Sequence, residues 1–170
     1  NNLIVTVTCD KEDMGTIKSE IEKFASTLPA NQVALQNWDL KPEIKNEAIL
    51  TPSKVQYVIE GYNFKKLGQT YDGKMLVLNQ ILSRDWLQTR IRVMGGAYGG
   101  YSSINSDGTF MFLSYRDPNL KETLENYAGT VGYLESFSPD SIAMKRYIIG
   151  TIGRLDYPVT AANKGDLAFN

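Results

Sequence analysis

Arg92 and Tyr98 stand on either side of a glycine pair in the run Arg92-Val93-Met94-Gly95-Gly96-Ala97-Tyr98-Gly99-Gly100. A guanidinium held in a fixed fork can clamp a carbonyl or carboxylate of a bound peptide. A phenol can donate to an oxyanion as it forms, stabilising a transition state without acting as a nucleophile. Gly95 and Gly96 fit between them as a helix stop through a positive-φ conformation, and they let another backbone come close. The run reads as a substrate-docking corner at a helix-to-strand junction, with Arg92, Gly95, Gly96 and Tyr98 as its candidate residues. A plainer reading stays open. A cation in the last turn of a helix is stabilised by the carbonyl ends there, and the remainder is then a glycine stop followed by an interior tyrosine.

Other chemistry is limited by what the chain lacks. Its 170 residues include no histidine, the imidazole source for most zinc sites and most acyl-transfer triads. No metal ligand and no cofactor is therefore assigned to this chain. The glycine run matches neither the dinucleotide nor the Walker phosphate loop, and it follows a helix C-terminus where phosphate loops precede an N-terminus. Eighteen basic against nineteen acidic residues leave a net charge of −1, which gives no reason to expect nucleic acid or an anionic membrane as partner. The aromatic strand at residues 108–115 lacks the basic residues of an RNA-binding platform and reads as core. Cys9 has no internal disulfide partner and reads as a buried structural thiol, favouring a reducing intracellular compartment. No apolar run approaches the roughly 18 residues of a membrane span, and Asn1 reads as a cut end.

The elements that must position the corner follow from periodicity. Residues 3–8, rich in β-branched side chains, predict a strand. Ile17, Ile21, Phe24 and Leu28 predict a helix with one buried stripe, closed by Pro29. Residues 30–53, with Pro42 and Pro52, read as a connector, and a domain boundary is placed near residue 46. Residues 55–62 predict a strand with Gln56 and Glu60 solvated and Val55, Tyr57 and Ile59 turned inward. Met75, Leu78, Leu82, Trp86 and Leu87, broadened by Ile81 and Ile91, predict one long helix over 73–92. Strands at 98–104 and 109–116 are joined by a tight hairpin at Asp107-Gly108. Asp117-Pro118 predicts the start of a helix with Leu120, Leu124, Tyr127, Val131 and Leu134 on one face, and Ser138-Pro139 the start of the next. The order predicts the α+β class, an antiparallel sheet packed against helices.

Two segments, residues 89–100 and Phe112-Leu113-Ser114-Tyr115-Arg116-Asp117-Pro118-Asn119, resemble the pitrilysin-type or inverzincin metallopeptidases, in the presequence protease branch. Asp156-Tyr157-Pro158 and residues 164–169 are similar to further segments of that family. The resemblance implies a C-terminal fragment of a zinc peptidase built from two bowl-like halves of αβ-roll domains. On that basis residues 1–45 are the closing strand and helix of the preceding domain plus a linker, and 46–170 are most of the final, non-zinc αβ-roll. Zinc would lie in an N-terminal half of the same polypeptide, and unfolded oligopeptides would be the substrates. Arg92 and Tyr98 would be delivered to that distant site. The implied location is cytoplasmic, an organelle lumen remaining open. Loss of the domain's final strand would leave an unpaired edge that invites pairing with another copy. The rival reading is a non-catalytic peptide-binding or scaffolding subunit of the same fold.

Overall fold

A computed structural model describes residues 3–29, 34, 36–41, 43 and 45–169. Within the predicted connector over 30–53, Pro42 and residues 30–33, 35 and 44 lie outside the described residues. The chain divides into two compact units, one formed by residues 1–48 with 158–170 and the other by Ile49–Tyr157.

The first unit contains α1 (Met14–Ser26) and α6 (Ala161–Phe169). The predicted helical stripe forms, with Ile17 and Ile21 half-buried, but Phe24 and Leu28 remain exposed. Val5, Val7, Met14, Ile17 and Ile21 line an open apolar groove of about 420 Å³. Residues 3–8 carry no strand ladder, contrary to their β-branched composition. A strand needs a neighbour for its backbone hydrogen bonds, and none of the described strands pairs with this segment. Cys9 is half-buried rather than core.

The second unit is an antiparallel sheet covered by helices, in the α+β class expected. Strands β1 (Gln56–Asn63), β2 (Gly99–Ile104) and β3 (Thr109–Asp117) lie in the order β1-β3-β2. The β2–β3 hairpin turns at Gly108, whose φ of +98° requires the freedom of glycine, and the Asp107 carboxylate accepts the Thr109 N–H at 2.8 Å. Helix α2 (Lys74–Ile81) continues as π-helical turns over Leu82–Trp86 and Gln88–Met94. After the strands come α3 (Lys121–Ala128), α4 (Thr130–Ser136) and α5 (Ser141–Leu155).

The helix over 73–94 is thus continuous but widened. Hydrogen bonds from i to i+5 give a broader turn than the α-helix, and Leu82, Leu87 and Ile91, five and four residues apart, are all essentially fully buried. They form the core with Val58, Ala97, Phe112 and Tyr127. Phe112 stacks on Tyr127 at 5.1 Å. Most buried polar groups are paired, as their desolvation demands, with Gln80 Oε1 and Thr130 Oγ1 the exceptions among the described residues. Ser102 N–H donates to Ser83 Oγ at 3.0 Å, and Ser102 Oγ donates to Asn79 Oδ1 at 2.6 Å. Asp85 accepts from Tyr133 and Tyr147 at 2.9 and 2.8 Å, tying α4 and α5 to the π-helical segment.

Three expectations are corrected. In β1 the inward residue is Val58, while Tyr57 and Ile59 are exposed, because the helices cover the face that Val58 shares with Ser114 and Phe112. Along α3 and α4 the buried residues are Thr123, Tyr127 and Thr130, and Leu120, Leu124 and Val131 face outward. Helix α5 is capped by Asp140, whose carboxylate accepts the Ala143 N–H at 2.7 Å, two residues later than Ser138-Pro139 suggests.

Candidate functional site

The corner is built from three backbone devices. Ala97 N–H donates to Ile91 O at 3.1 Å, Gly96 N–H to Arg92 O at 3.0 Å and Gly95 N–H to Arg90 O at 3.0 Å, closing the π-helical end. A Cβ on Gly95 would stand 2.6 Å from Ile91 O, so glycine is needed there for close approach, although its φ of −81° is ordinary. Gly96 alone carries the positive φ, at +77°. Gly100 lets β2 lie against the helix, since a Cβ would fall 2.7 Å from that of Ile91.

Residues 115–119, from the second motif of the sequence, lock this corner from outside. Tyr98 N–H donates to Tyr115 O at 3.0 Å. Asn119 Nδ2 donates to Gly95 O at 2.6 Å. Asp117, fully buried, accepts Asn119 N–H at 2.9 Å and the Thr123 hydroxyl at 2.7 Å. Asp117 therefore organises the loop ahead of α3 and makes no side-chain cap at the helix's assigned start.

A bulge puts Asp117 there. Val58 pairs with Ser114 and Gln56 with Asp117, so two residues of β3, Tyr115 and Arg116, oppose Tyr57 alone. Arg116 absorbs the extra residue at φ +49°. Regular alternation from the inward Ser114 would bury Arg116 and expose Asp117; the bulge reverses both. The irregularity is sealed by side chains: Val58 N–H donates to Ser114 Oγ at 3.3 Å and Val58 O accepts from Tyr127 at 3.0 Å. Burial pushes the Tyr127 phenol up to about 12, keeping it a donor.

Arg92 and Tyr98 both end up exposed, Arg92 in the last helical turn and Tyr98 at 65% accessibility just before β2. Neither side chain has a hydrogen bond or ion pair among the described residues, and no cation–π contact joins the two. The expectation of an interior tyrosine is thus not met, whereas the helix-end position of Arg92 fits the plainer reading as well as the functional one. The residues that sequence reasoning missed are Asn119, Asp117 and Thr123, which hold the corner, and Tyr115 and Tyr57, whose rings continue from Tyr98 across the open sheet face. Asp117-Pro118-Asn119 was visible as a motif, but its contact with Gly95 spans 24 positions of sequence.

These two motifs interlock within a stretch that the family model described as PreP C-terminal domain matches over residues 46–170. The chain belongs to the presequence-protease family. It is 40% identical over 158 residues to presequence protease 1, chloroplastic/mitochondrial, of Arabidopsis thaliana, covering 92% of this chain and 15% of that protein. It is 38% identical over 167 residues to protein HypA of Clostridium perfringens, covering 98% and 17%. To the mitochondrial presequence protease of Drosophila melanogaster it is 33% identical over 157 residues, covering 86% and 14%. The chain thus spans a minor part of the length of these curated relatives.

In this presequence-protease domain, no three His, Cys, Asp or Glu side chains gather as a metal site among the described residues. With no histidine in the sequence either, its donor set does not fit a zinc ion of the catalytic kind. No helix among the described residues is long and apolar enough to cross a membrane.

Proposed function

We propose that this chain is the distal, substrate-binding part of an intracellular zinc-dependent oligopeptidase, whose metal is held by an N-terminal half of the same polypeptide. Residues 46–170 carry this role, and residues 1–45 belong to the end of the preceding domain and its linker. Arg92 holds a carbonyl or carboxylate of an unfolded peptide, and Tyr98 donates its phenolic proton in a hydrogen bond to the oxyanion formed at the scissile carbonyl. Membership of the presequence-protease family supports the substrate class. The observation that carries the residue roles is that two unpartnered polar side chains project from the two ends of a corner fixed by backbone and Asn119 hydrogen bonds. The main chain that carries them is fixed in advance, which lowers the cost of bringing the two groups to the reacting carbonyl.

Arg92→Ala in the full-length protein tests the binding role. Peptide affinity and kcat/KM should both fall, because the same group holds the peptide before and during attack. If Arg92 serves only the helix end, thermal stability drops slightly while peptide affinity stays at the wild-type value, and the reading is wrong.

A further inference from the structure

The open face of the sheet carries three phenol rings in a row that ends at Tyr98. Tyr57 meets Tyr115 edge-on at 5.2 Å and 78°, and Tyr115 meets Tyr98 edge-on at 5.5 Å and 75°. Such T-shaped pairs lie in the range where ring quadrupoles attract. For Tyr98 the Tyr115 contact is the single ring contact among the described residues, and the rest of the ring is open to solvent. We propose that Tyr115 is a positioning residue for Tyr98, with Tyr57 bracing Tyr115, so that the row sets where the Tyr98 hydroxyl stands. The inference rests on Tyr98 being the oxyanion donor and adds how that donor is aimed.

The backbone supports the same role. Tyr115 O accepts the Tyr98 N–H, so one residue fixes both the main chain and the ring of Tyr98. Tyr115 faces Gly99 across the ladder, and the Tyr101 ring lies over Gly99 in the space that a Cβ there would take. The outward direction of Tyr115 follows from alternation with the inward Ser114, and the bulge re-aims only the residues after it, Arg116 and Asp117. An exposed tyrosine without such a neighbour would exchange among staggered χ1 rotamers, moving its hydroxyl by several ångströms. A donor displaced by about 1 Å loses much of its effect on rate. The hydroxyls of Tyr115 and Tyr57 have no partner among the described residues, so the ring edges, and not the phenolic groups, carry the contact.

The test is a set of variants in the full-length protein, assayed by steady-state peptide hydrolysis. Tyr115→Phe keeps the ring and should retain wild-type kcat. Tyr115→Leu should lower kcat about tenfold with KM nearly unchanged, and in a Tyr98→Phe background it should cause no further loss, since there is no hydroxyl left to aim. Wild-type kcat in Tyr115→Leu beside a slow Tyr98→Phe would overturn the positioning role and leave the oxyanion role standing. The same loss from Tyr115→Leu in both backgrounds would also overturn it, pointing to a general effect on the fold. Wild-type kcat in Tyr98→Phe would remove both. Should Tyr115→Leu fail to fold, Tyr57→Leu carries the test from an exposed site, with about a threefold loss expected in the wild-type background and none beside Tyr98→Phe.

Discussion

Replacing Asp117 by alanine should be among the most damaging single changes in the second unit. The carboxylate is fully buried and accepts two hydrogen bonds, from Asn119 N–H at 2.9 Å and from Thr123 Oγ at 2.7 Å. Hydrogen bonds to a charged group contribute about 1.5–3 kcal/mol each. Relief of the carboxylate's own desolvation offsets part of that loss. Thr123 is buried and would be left without its partner, so a net cost of about 3–4 kcal/mol is expected. Asp117→Asn separates charge from geometry. Oδ1 still accepts Asn119 N–H, and the new amide can donate to the Thr123 hydroxyl, which turns to accept, so the cost should stay near 1 kcal/mol. Urea unfolding followed by Trp86 fluorescence measures both, in a Trp38→Phe background because exposed Trp38 would otherwise contribute. Equal losses for the two variants, or an alanine cost under about 1 kcal/mol, would show that Asp117 does not hold the corner.

The corner glycines should differ in kind. Gly95→Ala forces a Cβ onto the Ile91 and Arg90 carbonyls and should cost about 2–3 kcal/mol, whereas Gly96→Ala meets only Pro118 at 3.8 Å and pays about 1–2 kcal/mol for its positive φ; thermal melts rank them. Arg116→Val should destabilise by about 1–2 kcal/mol because a β-branched residue resists φ near +49°, while Arg116→Asn should be tolerated in the same melts. Stability should fall as pH rises from 10 towards 12. Burial raises Tyr127 and Tyr147 to about 12, with the Asp85 bond adding to the latter. The folded state therefore holds these protons more tightly than the unfolded chain. That stabilisation is complete below pH 10 and lost through pH 12, as urea midpoints at pH 9 and pH 11.5 will show.

How far the fold could be read in advance depended on the range of the interactions involved. The hairpin at Asp107-Gly108, the helix beginning near residue 74 and the glycine stop after Met94 are set by neighbours in sequence, and local chemistry announced them. The inward face of β1 was not legible. Val58 is the one buried residue of that strand, and Tyr57 and Ile59 are more apolar in aggregate than Gln56 and Glu60. Only the placement of the helices decides which face is covered. The bulge at Tyr115–Arg116 was equally hidden, because a single extra residue in β3 is a choice of pairing, and it alone turns Asp117 inward. Arg92, Gly95, Gly96 and Tyr98 were legible as one corner since they lie within seven positions of sequence. Asn119 and Tyr115 reach that corner only through the folded sheet.

The claim that Tyr98 serves the oxyanion is tested most directly by single-turnover cleavage of a peptide at saturating enzyme, comparing the full-length wild type with Tyr98→Phe, a change that removes one hydroxyl and little volume. The first-order rate should fall about 10²-fold, the usual cost of deleting one such donor, with an unchanged thermal transition. A rate equal to wild type would contradict the account and return Tyr98 to an exposed aromatic at the end of a strand.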